Sequence, residues 1–265
     1  MTSWPNILRI VKASARALLG KIYGRGVSSN YVEIRGDIEK REEAVLLTDS
    51  WRHESIPTRQ RKLVERELTK FRSGAKVKNF SIMQQALRDL RLTSGPVSLL
   101  EIGCSSGYYS EVIEGISPGF SYHGCDYSTS FIEMAKAHYP SIPFDVEDAT
   151  RLNYPDNHFD VVLSGCCLLH IPNYEAAITE TARVSKTFSI FHRTPVVIGG
   201  PQQVFRKKAY GVDTIEIHFQ ETDFLRLLRE SSLDLLATYS LSEPVGDHVG
   251  TAVRTYVCQK RKALK

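Results

Sequence analysis

The chain has 265 residues, enough to bury a full core, and its composition (42% hydrophobic, 24% charged) is that of an ordinary globular protein. Net charge is +4, but residues 1–30 hold Arg9, Lys12, Arg16, Lys21 and Arg25 and no acid; removing those five from 34 cations leaves 29 against 30 acids. A near-neutral body argues against an enzyme gripping nucleic-acid phosphates over a broad face, and no apolar run reaches the ~18 residues of a membrane span.

Five cysteines (Cys104, Cys125, Cys166, Cys167, Cys258) are an odd number without zinc-ligand spacing. Reduced thiols in a cytoplasmic protein fit them best. Residues 5–23 read as a basic amphipathic helix, with Ile7, Leu8, Val11, Ala15, Leu18, Leu19 and Ile22 on one face and Arg9, Lys12 and Arg16 opposite. Two readings stand: peripheral contact with an anionic membrane, or a helix docked on its own domain. Gly20, Gly24 and Gly26 mark a flexible exit, which sets off residues 1–30 from a helical cap region over 31–94.

Within that cap, 38–73 is expected to be helical with an interruption at Ile56-Pro57, because the residue before proline disfavours helix. Gly74 is its expected terminator, and a further helix covers about 79–91. From Val97 strand and helix alternate: strands at 97–100, 121–125, 140–145, 159–164, 188–191, 235–239 and 253–258, with helices at 109–114, 128–138, 175–184 and 222–230. The pattern predicts an α/β domain over 95–265, with a mostly parallel sheet and helices on both faces. Residues 196–216 read as irregular, part of a substrate-loop insertion at about 193–220.

The stretch 97–111 organises the rest. An apolar strand runs into Glu101, a turn carries Gly103 and Gly107, and a helix follows. Glycine permits a tight turn and close approach of a ligand, and the helix behind presents unpaired N–H groups. In such sheets ligands sit beyond the carboxyl ends of the strands, where Glu101, Asp126, Asp148, Ser164 and His192 fall in order. Glu101 and Asp126 lie about 25 residues apart, as expected of carboxylates holding a nucleoside ribose. A nicotinamide-dependent oxidoreductase would carry Gly-x-Gly-x-x-Gly; this chain has Gly-x-x-x-Gly preceded by an acid.

These residues resemble the class I S-adenosylmethionine-dependent methyltransferases. The resemblance rests on Glu101-Ile102-Gly103-Cys104-Ser105-Ser106-Gly107, Gly124-Cys125-Asp126-Tyr127-Ser128, Asp145-Val146-Glu147-Asp148-Ala149 and Phe159-Asp160-Val161-Val162-Leu163-Ser164 with Leu169-His170-Ile171, and covers about residues 80–258. It implies a Rossmann-like, mostly parallel seven-stranded sheet and S-adenosylmethionine as cofactor, with S-adenosylhomocysteine as product. Carried over, Glu101, Gly103, Cys104, Ser105, Gly107 and Tyr108 would hold the methionine end. Asp126 would accept the ribose hydroxyls with Tyr127 against the adenine. Asp148 and Ala149 would meet the adenine edge, and Ser164 the floor near the sulfonium. Ser105 departs from the pattern, standing where many members have a middle glycine.

An alcohol nucleophile needs a base within hydrogen-bond reach. His192, after the fifth strand, and His170, after the fourth, are the expected catalytic residues; Arg193 and His218 are expected at the substrate. No required metal is suggested. The resemblance extends to enzymes of bacterial cell-surface polysaccharide or glycolipid assembly, which implies O-methylation of a sugar or glycoconjugate hydroxyl, with Arg193 and the run Arg206-Lys207-Lys208 meeting an anionic group. Methylation of a lipid, quinone or other natural product, or a catalytically silent cofactor-binding partner subunit, are the alternatives.

Overall fold

The computed structural model describes residues 28–90, 92, 95–116, 119–244 and 250–261. The amphipathic segment 5–23 and its glycine exit lie outside the described residues. Seven strands form the main sheet: β2 (Val97–Ile102), β3 (Phe120–Asp126), β4 (Phe144–Val146), β5 (Phe159–Gly165), β6 (Ser185–Ile198), β9 (Leu233–Ser242) and β10 (Gly250–Lys260). Their order is β4–β3–β2–β5–β6–β10–β9, and only β10 runs antiparallel to its neighbours. The chain leaves β2 towards β3 and later returns to β5 on the other side, so a crevice opens at the carboxyl ends of β2 and β5.

The central strands are apolar on both faces, as a covered parallel sheet requires. Leu99, Val161, Leu163 and Ile190 point to one layer of helices, and Leu100, Val162 and Phe191 to the other. On the first face pack α2 (Ser55–Arg72), α3 (Lys78–Asp89), α4 (Tyr109–Ile113) and α5 (Thr129–His138). On the second pack α6 (Tyr174–Val184) and α7 (Glu221–Glu230). Among the described residues no helix is long and apolar enough to cross a membrane.

Two stretches depart from expectation. The interruption in 38–73 falls between α1 (Asp37–Leu47) and α2, where a short 3-10 turn, Ser50–Arg52, intervenes. Pro57 sits in the first turn of α2, where its missing N–H leaves no helical bond unmade. The larger departure is at 196–216: β6 continues to Ile198, and β7 (Gln203–Ala209) and β8 (Val212–Gln220) form a hairpin. Tyr210 and Gly211 both have positive φ, 51° and 85°, as a two-residue type I′ turn needs. Tyrosine in the place usually held by Asn or Gly hides that signal. β8 joins β6 through Val196 and Val197, and β1 (Ser28–Ile34) adds antiparallel to β7. This three-stranded extension closes the crevice from the β6 side.

Candidate active site

The glycine turn after β2 is shaped by what its residues cannot carry. A Cβ on Gly103 would lie 2.3 Å from Cys167 Cβ, and one on Gly107 2.6 Å from the Phe144 ring; both glycines have positive φ. Ser105 also has positive φ, 49°, and its N–H donates to Asp126 Oδ2 at 3.0 Å while Ser128 N–H donates to Oδ1 at 3.0 Å. Asp126 thus ties the glycine turn to the start of α5. The serine replacing the middle glycine has a use here: its hydroxyl accepts from Gln60 Nε2 on α2 at 3.1 Å.

Glu101 is buried at 1% exposure and accepts from the Tyr122 hydroxyl. A Cβ on Gly165 would fall 2.2 Å from its Oε1, so the absence of a side chain there leaves room for the carboxyl. Burial, helped by the Asp126 charge and opposed by the Tyr122 hydrogen bond, pushes Glu101 up to about 8. Asp126 is pushed up to about 6 by burial, against the N–H groups of Ser128, Ser105 and Tyr127. Asp148 is exposed and accepts at Oδ1 from Thr150 N–H (2.8 Å) and hydroxyl (2.7 Å). The Tyr127 hydroxyl accepts from Trp51 N–H and donates to the Thr48 carbonyl, both at 3.1 Å, with Arg52 4.8 Å from the ring centre.

These groups open on one cavity of about 320 Å³, of a size suited to a small ligand. Gly103, Ser105, Tyr108, Asp126, Tyr127, Asp148 and Ala149 line it. Glu101, Cys104 and Gly107 lie behind that surface. Ser164 does not line it either: its hydroxyl faces Cys167 Sγ at 3.2 Å, and Gly165, Cys166 and Cys167 form the wall instead.

The other end is aromatic and basic. The Trp51 ring lies 4.5 Å from that of His170 and 6.0 Å from that of Tyr210. His170 Nδ1 lies 2.7 Å from the Ile215 carbonyl oxygen. A carbonyl only accepts, so Nδ1 carries the proton and the neutral ring keeps its lone pair on Nε2. Burial first, then the Lys207 charge, pushes His170 down to about 3. It is neutral at any physiological pH.

Of the other expected side chains, Arg193 lines the cavity and His192 and His218 do not. His192 is buried, its Nδ1 2.8 Å from Thr255 Oγ1 and its ring edge-on to Tyr109, and burial holds it well below the usual histidine range. The cause is backbone geometry: β10 pairs Arg254 with Thr194 and Tyr256 with Phe191, leaving His192 and Arg193 both opposite Thr255. This bulge turns Arg193 outward and His192 in. His218 donates through Nε2 to Glu216 Oε1 at 2.8 Å, and Lys207 donates to the same buried carboxylate.

Residues 100–191 match the family model described as "Methyltransferase domain". A demethylmenaquinone methyltransferase of Staphylococcus aureus is 27% identical over 107 residues, 39% of this chain and 44% of that protein. The chain spans between 27% and 44% of the length of such curated relatives. Among solved structures, an S-adenosylmethionine-dependent methyltransferase from Clostridium acetobutylicum aligns at TM-score 0.54 with 13% identity, over 76% of this chain and 98% of that one. Burkholderia thailandensis 1,6-didemethyltoxoflavin-N1-methyltransferase, solved with its acceptor and S-adenosylhomocysteine, aligns at 0.51 with 15% identity, over 78% and 91%. At those identities the likeness is one of fold.

Six of the residues lining the cavity lie outside the domain match. Thr48, Trp51 and Gln60 precede it; Arg193, Lys207 and Tyr210 follow it. Of these, the sequence points to Arg193 and to Lys207, within Arg206-Lys207-Lys208, at an anionic group, and to Trp51 as an aromatic of the helical cap that could face a substrate. Lys207 (3% exposed) and Glu216 (0%) form a buried ion pair. Lys207→Met is expected to destabilise the fold by about 3–5 kcal/mol, because an unpaired carboxylate would stay buried. Thermal melts should show a fall of roughly 10 °C, largely restored in Lys207→Met/Glu216→Gln.

Proposed function

We propose that the protein is an S-adenosylmethionine-dependent methyltransferase acting on a hydroxyl of a small acceptor, a sugar or glycoconjugate. The observation that carries this reading is the polarity of a single cavity: acids and glycines at the β2–β4 end, a neutral imidazole among aromatic rings at the other. The residues fit the cofactor. Gly103 and Gly165 leave room for the Cys167 and Glu101 side chains behind the turn, and Asp126, on the cavity wall, offers a carboxylate to paired hydroxyls. Tyr127, Asp148 and Ala149 would border the adenine. When bound, S-adenosylmethionine supplies an electrophilic methyl on a sulfonium, leaving S-adenosylhomocysteine.

The chain's own task is then to place the acceptor oxygen and take its proton. His170 suits the second role: the Ile215 carbonyl fixes its tautomer, and Nε2 is its proton-accepting atom. Trp51 and Tyr210 offer ring faces against which the C–H side of a sugar can pack. His192 is assigned a positioning role, filling the bulge that presents Arg193.

The test is incubation of the protein with methyl-labelled S-adenosylmethionine and a panel of sugars, glycolipids and quinols. Label on a sugar hydroxyl is expected. Label on quinols alone would reject the sugar acceptor, and cofactor binding without transfer to any acceptor would favour a silent partner subunit.

A further inference from the structure

The ionised groups on the cavity wall are segregated. Its acids, Asp126, Glu147 and Asp148, all come from the ends of β3 and β4, whereas its cations, Arg193 and Lys207, come from β6 and β7. Within the run Arg206-Lys207-Lys208 the strand alternation sends only the middle side chain inward. Arg206 turns out to Glu43 at 3.2 Å and Lys208 to Asp213 at 3.0 Å, while Lys207 is 3% exposed.

Arg193 reaches the cavity through a backbone that arginine does not favour. Its φ is 59°, in the left-handed region, at the centre of the bulge opposite Thr255. A non-glycine residue held there is strained relative to one free to relax. Glycine would relieve that strain, so the arginine side chain has a use at this place. Burial raises Tyr108 and Tyr210 and lowers His170, and the Arg193 charge opposes the first two shifts and adds to the third, which places it near these groups. A guanidinium fork matches a carboxylate or phosphate in two parallel hydrogen bonds.

We propose that the β6–β7 end of the cavity is an oxyanion subsite, in which Arg193 grips a carboxylate or phosphate carried by the acceptor while Lys207 stays paired with Glu216. This rests on the methyltransferase reading only in taking the occupant to be the acceptor. An acidic or phosphorylated sugar satisfies both, its charge anchored at Arg193 and its hydroxyl directed to His170.

The test uses full-length protein loaded with S-adenosylhomocysteine and titrated calorimetrically, at low ionic strength, with inorganic phosphate, glucuronate and glucose. Wild-type protein is expected to bind phosphate or glucuronate saturably, and Arg193→Gly to bind it at least roughly tenfold more weakly. Arg193→Lys should retain most of the affinity, and glucose should not distinguish the three proteins. Because glycine adopts the positive φ freely, Arg193→Gly is expected to melt no lower than wild type. Phosphate binding without glucuronate binding would assign a phosphate, and the reverse a carboxylate. No saturable oxyanion binding below about 10 mM, or equal binding by wild type and Arg193→Gly, overturns the subsite. If S-adenosylhomocysteine itself fails to bind, the methyltransferase reading fails. The same titrations on unloaded protein then still decide the oxyanion subsite.

Discussion

Asp126→Ala is expected to weaken S-adenosylhomocysteine binding at least a hundredfold by titration calorimetry. Two losses combine. A carboxylate accepting from two ribose hydroxyls contributes charge-assisted hydrogen bonds of about 1.5–3 kcal/mol each, and each 1.4 kcal/mol is about tenfold in affinity. The same carboxylate holds Ser105 N–H and Ser128 N–H at 3.0 Å, so alanine also releases the glycine turn from α5. Asp126→Asn keeps the shape and removes the charge, and should fall between the two. The pH dependence has a definite sign. Burial raises Asp126 to about 6, so in the free protein the carboxyl is ionised above that pH and protonated below it. A protonated carboxyl is a poorer acceptor, so affinity should fall as pH drops from 7 to 5, by about fivefold over the last unit. That limb should vanish in Asp126→Asn. Affinity unchanged in both variants would remove Asp126 from the cofactor site.

The cofactor half was legible because its signals are local. Glu101, Gly103, Asp126 and Asp148 each lie within two residues of the carboxyl end of a strand, so a strand end read from pattern places them at the crevice. Errors there are short. Ser164 is expected at the floor near the sulfonium, but the strand runs one residue further and Gly165, Cys166 and Cys167 line the cavity instead, with Cys166 at φ 67°. The acceptor half depends on longer-range geometry. Whether His192 or Arg193 faces the cavity is decided by a bulge against Thr255, in a strand 63 positions away, and strict alternation says nothing about it. The hairpin carrying Lys207 and Tyr210 reads as irregular in the sequence because its turn has tyrosine at a positive φ. Arg59 of α2 donates to the Tyr210 carbonyl, a tertiary contact that helps hold the turn and that no local pattern announces.

His170→Ala is expected to lower kcat by about 10²–10³-fold, within the range for losing a positioned general base, while S-adenosylhomocysteine affinity stays within about twofold. Alanine also removes the ring that Trp51 packs against at 4.5 Å, so His170→Asn is the cleaner variant. Its amide can replace Nδ1–H as donor to the Ile215 carbonyl yet offers nothing in place of Nε2. Equal loss in both variants assigns the effect to the base; recovery in His170→Asn assigns it to positioning. An imidazole lowered to about 3 is a weak base in the resting protein, yet it suffices for this chemistry. As the acceptor oxygen bonds to the methyl carbon it becomes an oxonium centre, whose proton is far more acidic than such an imidazolium. Transfer to Nε2 is then downhill late in the step, where it is needed. The same burial fixes the pH profile. Because His170 stays neutral down to about 3, kcat at saturating cofactor should show no limb near 6.5, the ordinary histidine value. A limb at that position in wild type, lost in His170→Asn, would show that His170 titrates as an open histidine and that burial does not govern its charge.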